Sequence, residues 1–442
     1  MVGDFMKTGF IAVGHRDYIS VMALEKTKEA VSRLEDAGVE IVFDGAIYTD
    51  IKAASTTAAT MLCEQISSII IFPSTWVECP VVMAAVTEFE HIPFAIWGMG
   101  MFDYDGKKES TGSFVSMAML SGAFKKMDYF HEVFSGNTDN MDTINKIKTF
   151  TKAASTRYAL KRSLIGLVGY SSMGIYTGMF DAPMLRRKLG PEVIQTDSYT
   201  IINMMGKVTA TELREAKSEL LDKALVEDEV QNESLEKSLR MYCALKKWSN
   251  EFDAINVKCQ YEFSKTLGMT ACVPLSLLAG SGLVTSCEGD IPCTVSMLAL
   301  KLLSGEIPAY GDALNVSSEG IVKFSPCGII PYELGTGKRY VRNFMPDYGF
   351  SGIQNSFPFK EGTVTYLRIA EDMDGYHFIY GKGEGLKTEL RQGYMPALDV
   401  RLEESSEEFI KKFHGQHYAF VYGDYTAELA AFEKIYQEHD WK

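Results

Sequence analysis

Short apolar runs alternate with stretches of helical period along the first two thirds of the chain, and this alternation is the primary signal of the fold. GFIAVG, from Gly9 to Gly14, reads as a buried strand, and Val21, Leu24, Val31 and Leu34 then recur at helical spacing until Gly38 stops the helix. Val39 to Phe43, Ser68 to Phe72 and Ile92 to Trp97 repeat the short apolar strand with helical stretches between them. The pattern predicts a parallel sheet covered by helices over residues 1–160. It restarts at Leu164 with LIGLVG, a glycine-bearing loop, the helix-like FDAPMLRRKLG and then VIQTD, so a second α/β domain is expected over 161–304. Within it, Thr209 to Trp248 is polar and rich in Glu and Lys at intervals suited to solvent-facing helices, and AINVKC from Ala254 returns to a strand. From 305 to 442 the period shortens to alternating strands broken by Gly and Pro, among them Val364 to Ile369, Tyr376 to Tyr380 and Ala419 to Tyr422. A last helix is expected from Thr426 to Tyr436, with Leu429, Phe432 and Ile435 on one face. The fold class is therefore α/β: two Rossmann-like parallel domains followed by a mainly β, barrel-like C-terminal domain.

Composition narrows the function. Forty-four basic against fifty-eight acidic residues give a net charge of -14, a field that repels phosphate backbones and anionic lipid, so neither nucleic acid nor a membrane surface is an expected partner. Apolar residues at 46% and charged ones at 23% are ordinary globular usage and argue against disorder and coiled coil. The longest apolar runs, such as Ile69 to Pro73, fall far short of the roughly 18 to 20 residues a membrane helix needs. Met1 to Thr8 carries Asp4 and no basic region before the first strand, so no secretion signal is read there. Eight cysteines are scattered among apolar neighbours without a CxxC pair, as reduced core thiols would be. A cytoplasmic protein is expected.

The segment richest in chemistry is CEGDIPCTVSMLALKLLSGEIPAYGD, Cys287 to Asp312. Asp290 stands where a helix N-cap belongs, Pro292 fits the first turn, and Gly305 ends the helix. Glu288 is not needed for capping. A helix of about fourteen residues travels roughly 21 Å from Glu288, and an extended Glu306 to Asp312 returns about 23 Å. Glu288 and Asp312 can therefore meet, and two converging carboxylates can ligate a hard divalent cation or act as acid and base. The bland alternative is one more acid at a helix end and an ordinary turn aspartate.

The C-E-G-D-I-P motif before a helix, a G-D after the next strand and a late H-x-x-H resemble the L-fucose isomerase family, related more distantly to L-arabinose isomerases, with this chain as a short, divergent member. The resemblance runs along nearly the whole chain in shared order: Gly14-His15 at a strand end, PSTWVECP from Pro73, TGSFVSMAMLSGAFKKM from Thr111, VGYSSMGIYTGMFD from Val168 and KCQYEFS from Lys258. It implies a metal-dependent aldose–ketose isomerase acting on an open-chain sugar, assembled as a homohexamer. By motif, the family's metal ligands fall on Glu288, Asp312 and His417, the metal being most often Mn2+. Glu288 and Asp312 are also its acid/base groups, passing a proton between adjacent sugar carbons through an enediol. His417, in HGQHYAFVYGD, suits a mixed nitrogen and oxygen site, with His414 as the competing ligand or a substrate contact.

Further substrate-binding candidates are His15 and Arg16, at the carboxyl end of the first strand where open α/β sheets place ligands. Trp76 and Glu78 are suited to stacking on and hydrogen-bonding a sugar, in the family often across a subunit boundary, and Gln260 follows a strand of the second domain. An ordinary polar loop, simple packing and a helix start are their respective bland readings. Where some relatives have a histidine before Cys-Gly, this chain has Ser325-Pro326-Cys327-Gly328, which leaves the substrate open. Some relatives isomerise sulfosugars such as sulfoquinovose, and Lys338, Arg339 and Arg342 form a basic cluster able to meet an anionic group, with solvated loop charge as the simpler account. ELGTGKRY at Glu333 lacks the spacing and hydroxyl of a phosphate-binding loop, and there is no GxSxG elbow. The rival reading is a non-catalytic sugar-binding protein, because two α/β lobes also suit hinge-closing receptors.

Overall fold

The computed structural model describes residues 7–344 and 349–440; most of the N-terminal stretch read for a secretion signal lies outside them. The chain forms two compact units, residues 1–159 with 427–442, and residues 160–426.

The first unit is built on a parallel sheet. Its strands lie in the order Ile41–Val42, Lys7–Val13, Ile66–Pro73, Phe94–Gly98 and His131–Ser135, with Ile47–Tyr48 also pairing with Lys7–Val13. Every residue of Ile66–Pro73 is buried, as a central strand covered on both faces requires. Ile11, Val13, Ile69, Ile71, Phe94 and Ile96 share one core with Val82, Leu120 and Phe124 from the covering helices. Two features escape the hydrophobic pattern. The strand expected over Val39 to Phe43 shrinks to Ile41–Val42, and the edge strand His131–Ser135 is only half-buried and polar enough to read as loop. The expected last helix forms as Thr426–Ile435 and buries Leu429, Phe432 and Ile435.

The second unit joins a smaller parallel sheet to a barrel. The sheet has the order Glu192–Thr196, Leu164–Val168, Ala254–Val257 and Val284–Cys287, so its topological switch lies between Leu164–Val168 and Ala254–Val257. The closed antiparallel barrel runs through Ala309–Val316, Ile321–Ser325, Leu398–Leu402, Gly375–Leu386, Gly362–Asp372 and His417–Tyr422. Between them passes the helix Ile291–Ser304, buried on all sides along Ile291 to Leu300. It packs on Ala254–Val257 and Val284–Cys287 of the sheet and on Gly362–Asp372 and His417–Tyr422 of the barrel. The sequence reading parts the second and third domains at residue 304; here the helix that ends there serves both cores, and the two form one unit. Thr209 to Trp248 forms two helices, Ala210–Lys223 and Asn232–Trp248, joined by exposed ion pairs such as Lys247–Glu212. No helix among the described residues is long and apolar enough to cross a membrane.

Candidate active site

The site is assembled from the end of a strand, a strained turn and two neighbouring barrel strands, all in the second unit. Strand Val284–Cys287 stops at two consecutive residues in the left-handed region, Glu288 (φ 71°) and Gly289 (φ 71°). Glycine is required at the second, since a Cβ there would stand 2.2 Å from the Tyr170 carbonyl oxygen. At the first, a non-glycine residue holds a backbone conformation that costs about 1–3 kcal/mol and persists only when its surroundings impose it. They do: the Gly289 N–H donates to Asn256 Oδ1 at 2.8 Å, and the Ser172 N–H donates to the Glu288 carbonyl at 2.8 Å. Asp290 then caps the helix, accepting from the Cys293 N–H at 2.9 Å, and the helix ends at Gly305. The chain returns along Ala309–Val316, where Asp312 pairs directly across the ladder with His417.

His417 is the hub. Its Nε2 lies 3.5 Å from Glu288 Oε2 and 3.3 Å from Asp312 Oδ1. Its Nδ1 lies 2.8 Å from Asp290 Oδ2, and the same oxygen accepts from Arg368 Nη1 at 2.7 Å. The Tyr310 ring stands edge-on to the imidazole, with centroids 5.5 Å apart, and Cys327 Sγ lies 3.3 Å from Glu288 Oε1. His417, Asp290 and Arg368 are shut off from solvent, whereas the Asp312 side chain keeps 27% of its surface exposed. The charges follow from these distances. Burial by itself would raise the Asp290 carboxyl, but the Arg368 guanidinium and the His417 imidazole bring it down to about 2. Burial would likewise lower His417, yet hydrogen bonds to Asp290 and Glu288, and their charges, raise it to about 10. Glu288, also opposed by burial, is held below its ordinary value chiefly by His417. Asp312 moves the other way, raised by burial and by the Glu288 charge against the pull of His417.

By donor chemistry, two carboxylates and an imidazole are what a hard divalent cation takes, although among the described residues the three whose ligand atoms lie within 4.8 Å of one another are Asp372, His377 and His414. Asp290, anchored by Arg368, accepts a hydrogen bond from His417 Nδ1–H and leaves Nε2 facing two carboxylates, the outer-shell arrangement that fixes a ligating imidazole in the correct tautomer. Two carboxylates and one imidazole suit manganese or magnesium better than the soft metals thiolates select. The pKa raised to about 10 has the same origin: an imidazole among carboxylates carries a proton where a cation would otherwise neutralise them.

A cavity of about 360 Å3, within the range of small-molecule sites, opens on this cluster. Gln260, Glu288, Asp312, Cys327, Arg391 and Gln416 are among its polar and sulfur-bearing lining residues, with Met173, Phe344 and Phe350 among its apolar walls. Of the described non-glycine residues at positive φ, Met173 and Glu288 line it and Tyr261 follows the lining residue Gln260. The strained backbone is thus concentrated here.

Four of the residues singled out from the sequence share this place: Glu288, Asp312 and His417 around one nitrogen atom, and Gln260 on the cavity wall, its Oε1 accepting from Ser172 Oγ at 3.0 Å. His414 is elsewhere. It forms a surface cluster with Asp372 and His377, where the two imidazoles stack at 5.0 Å and Asp372 Oδ2 is 3.4 Å from His414 Nε2. His15, Arg16, Trp76 and Glu78 belong to the first unit, at the carboxyl ends of Lys7–Val13 and Ile66–Pro73. There His15, Tyr18 and Trp76 form an aromatic group with centroids 5.0 to 6.4 Å apart. Of the basic cluster, Arg342 is committed to an ion pair with Glu227 at 2.6 Å. Sequence reasoning passed over Asp290, read only as a cap, and also Arg368 and Arg391. Arg368 left a signal, a lone cation within the apolar run VTYLRIA; Arg391, in a turn, left none.

No family model matches the chain. Among solved structures, a solute-binding protein of an ABC transporter from Agrobacterium vitis, bound with α-D-tagatopyranose, is 15% identical over 67% of this chain and 90% of its own; its TM-score of 0.17 is too low to bear on the fold. Curated relatives are closer. A sulfoquinovose isomerase from Alkalicoccus urumqiensis is 25% identical over 82% of this chain and 83% of its own length. A second, from Priestia aryabhattai, is 25% identical over 78% and 79%, and one from Priestia megaterium matches to the same extent. The likeness runs through both units and indicates that this protein is an enzyme, an aldose–ketose sugar isomerase.

Proposed function

We propose that this protein is a metal-dependent sulfoquinovose isomerase, converting that C6-sulfonated aldose to the corresponding 2-ketose. The observation that carries the reading is the approach of Glu288 and Asp312 to the same nitrogen of His417 at the mouth of a sugar-sized cavity. The curated relatives support the choice of substrate.

Aldose–ketose isomerisation carries a proton between C2 and C1 of the open-chain sugar through an enediol, and needs a base beside those carbons. A divalent cation held by Glu288, Asp312 and His417 would supply Lewis-acid polarisation of the sugar carbonyl. Asp290 and Arg368 keep the imidazole oriented from behind. Glu288 and Asp312 both line the cavity, so either can take the proton from one carbon and return it to the next. Gln260, fixed by Ser172, offers its amide N–H groups to sugar hydroxyls. The apolar walls around Phe344 and Phe350 limit the water that competes with these contacts.

Incubation with sulfoquinovose and Mn2+ in D2O tests the reading. Solvent deuterium should enter at C2 of the recovered aldose, and Glu288→Gln should lose at least a thousandfold in turnover while keeping the wild-type melting curve. Turnover without deuterium uptake would contradict the enediol, and full activity of the Glu288→Gln protein would remove that carboxylate from the mechanism.

A further inference from the structure

We infer that Arg391 is the subsite for the sulfonate of the substrate, an inference that rests on the sugar isomerase reading and specifies how this active site selects an anionic sugar. Arg391 is the only cation lining the cavity among the described residues, against the carboxylates Glu288 and Asp312. It is near enough to Asp312 for its charge to be felt there. Its guanidinium makes no hydrogen bond or ion pair with any described side chain, unlike Arg368, fixed on Asp290, and Arg342, fixed on Glu227. A guanidinium presents five donors in a planar fork suited to tetrahedral oxyanions. One that borders a concave site without a protein acid has its complement left to be supplied by a ligand.

The backbone around Arg391 is built to hold it there. Arg391 and Met395 close a narrow turn by exchanging both backbone hydrogen bonds, at 2.9 and 3.0 Å, with Gln392 (φ 52°) and Gly393 (φ 83°) in the left-handed region between them. Arg342 Nη1 donates to the Gly393 carbonyl at 3.2 Å, and Gln354 Nε2 donates to the Tyr394 carbonyl at 3.0 Å. Two side chains from the strands Tyr340–Asn343 and Ile353–Ser356 thus pin the turn. A cation carried on a pinned turn at the cavity and the Glu288–Asp312–His417 cluster give the substrate two chemically distinct ends. The carbonyl end faces the carboxylates, and the anionic end faces the guanidinium. A neutral hexose brings to that second contact a single hydroxyl acceptor and no charge, so it forgoes the charge-assisted, forked pair that a sulfonate makes with the guanidinium.

The test is a specificity ratio. Steady-state kcat/KM is measured for sulfoquinovose and for glucose, which carries a hydroxyl in place of the sulfonate, in the wild-type protein and in Arg391→Gln. The sulfoquinovose-to-glucose ratio should fall at least a hundredfold in the variant. Arg391→Lys, which keeps the charge and loses the fork, should fall in between, and serves as the test if Arg391→Gln does not fold. In the wild-type protein, ethanesulfonate should inhibit competitively and ethanol should not. A ratio unchanged within threefold in a protein that does isomerise sulfoquinovose would overturn the Arg391 subsite and leave the isomerase reading standing. Failure of the wild-type protein to act on sulfoquinovose, with turnover of glucose, would overturn the sulfosugar reading and the subsite with it.

Discussion

At the residue scale the decisive feature is how Asp290 divides its work. Its carboxylate caps a helix by accepting from the Cys293 N–H and also accepts a hydrogen bond from His417 Nδ1–H. Asp290→Asn separates the two roles, because asparagine caps as well as aspartate but brings no charge to the imidazole. The variant should also lose about 3–5 kcal/mol of stability, because it strands the Arg368 guanidinium in the interior, while its Mn2+ affinity falls about 10–100-fold, the usual cost of losing an outer-shell carboxylate. Titration calorimetry beside thermal melts would check both. A second expectation concerns protons. In the metal-free protein His417 stays protonated to about pH 10, so a cation must displace that proton from Nε2. Binding at pH 7 to 9 should release about one proton per ion and tighten as pH rises, by about tenfold per unit. Calorimetry in two buffers of different ionisation enthalpy measures this directly, and in His417→Gln the released proton should disappear.

At the element scale the helix Ile291–Ser304 connects the sheet to the barrel, and the buried pair Arg368–Asp290 joins its N-terminus to the strand Gly362–Asp372. Both partners are inaccessible to solvent, so removing the cation leaves an uncompensated charge in the interior. Arg368→Met should destabilise the protein by about 3–5 kcal/mol in urea unfolding. The double variant Arg368→Met, Asp290→Asn should recover part of that loss, since it removes the stranded charge as well. Much of this arrangement was legible in the sequence. Asp290, Pro292 and Gly305 mark the helix by cap, first turn and stop, and its length delivers the chain back to Asp312. What period and propensity do not carry is pairing register. That Asp312 stands directly opposite His417 follows from the closure of the barrel, and no local pattern around either residue encodes it.

At the scale of the whole molecule, the alternation of strand and helix identified both parallel sheets, and the shorter period identified the barrel. The boundary expected at residue 304 reflects a change of period that is real, but the helix ending there is buried on all sides and belongs to two cores at once. Side chains that act through long-range contacts were the least legible. His414 lies in the same H-x-x-H as His417, yet pairs with Asp372 and His377 on the surface. His417 opens the strand His417–Tyr422 while His414 stands in the bend before it, so three residues of separation carry the two to different places. A net charge of -14 also opposes an anionic substrate at long range, so on the proposed reading a sulfonate would be held by local cations, at distances where salt does not screen them.

The position of the metal tests the account most directly. Crystals of the protein grown with Mn2+ and measured at the manganese absorption edge should give one strong anomalous peak bounded by Glu288, Asp312 and His417 Nε2. A peak at the surface cluster of Asp372, His377 and His414, with the site at His417 empty, would contradict it.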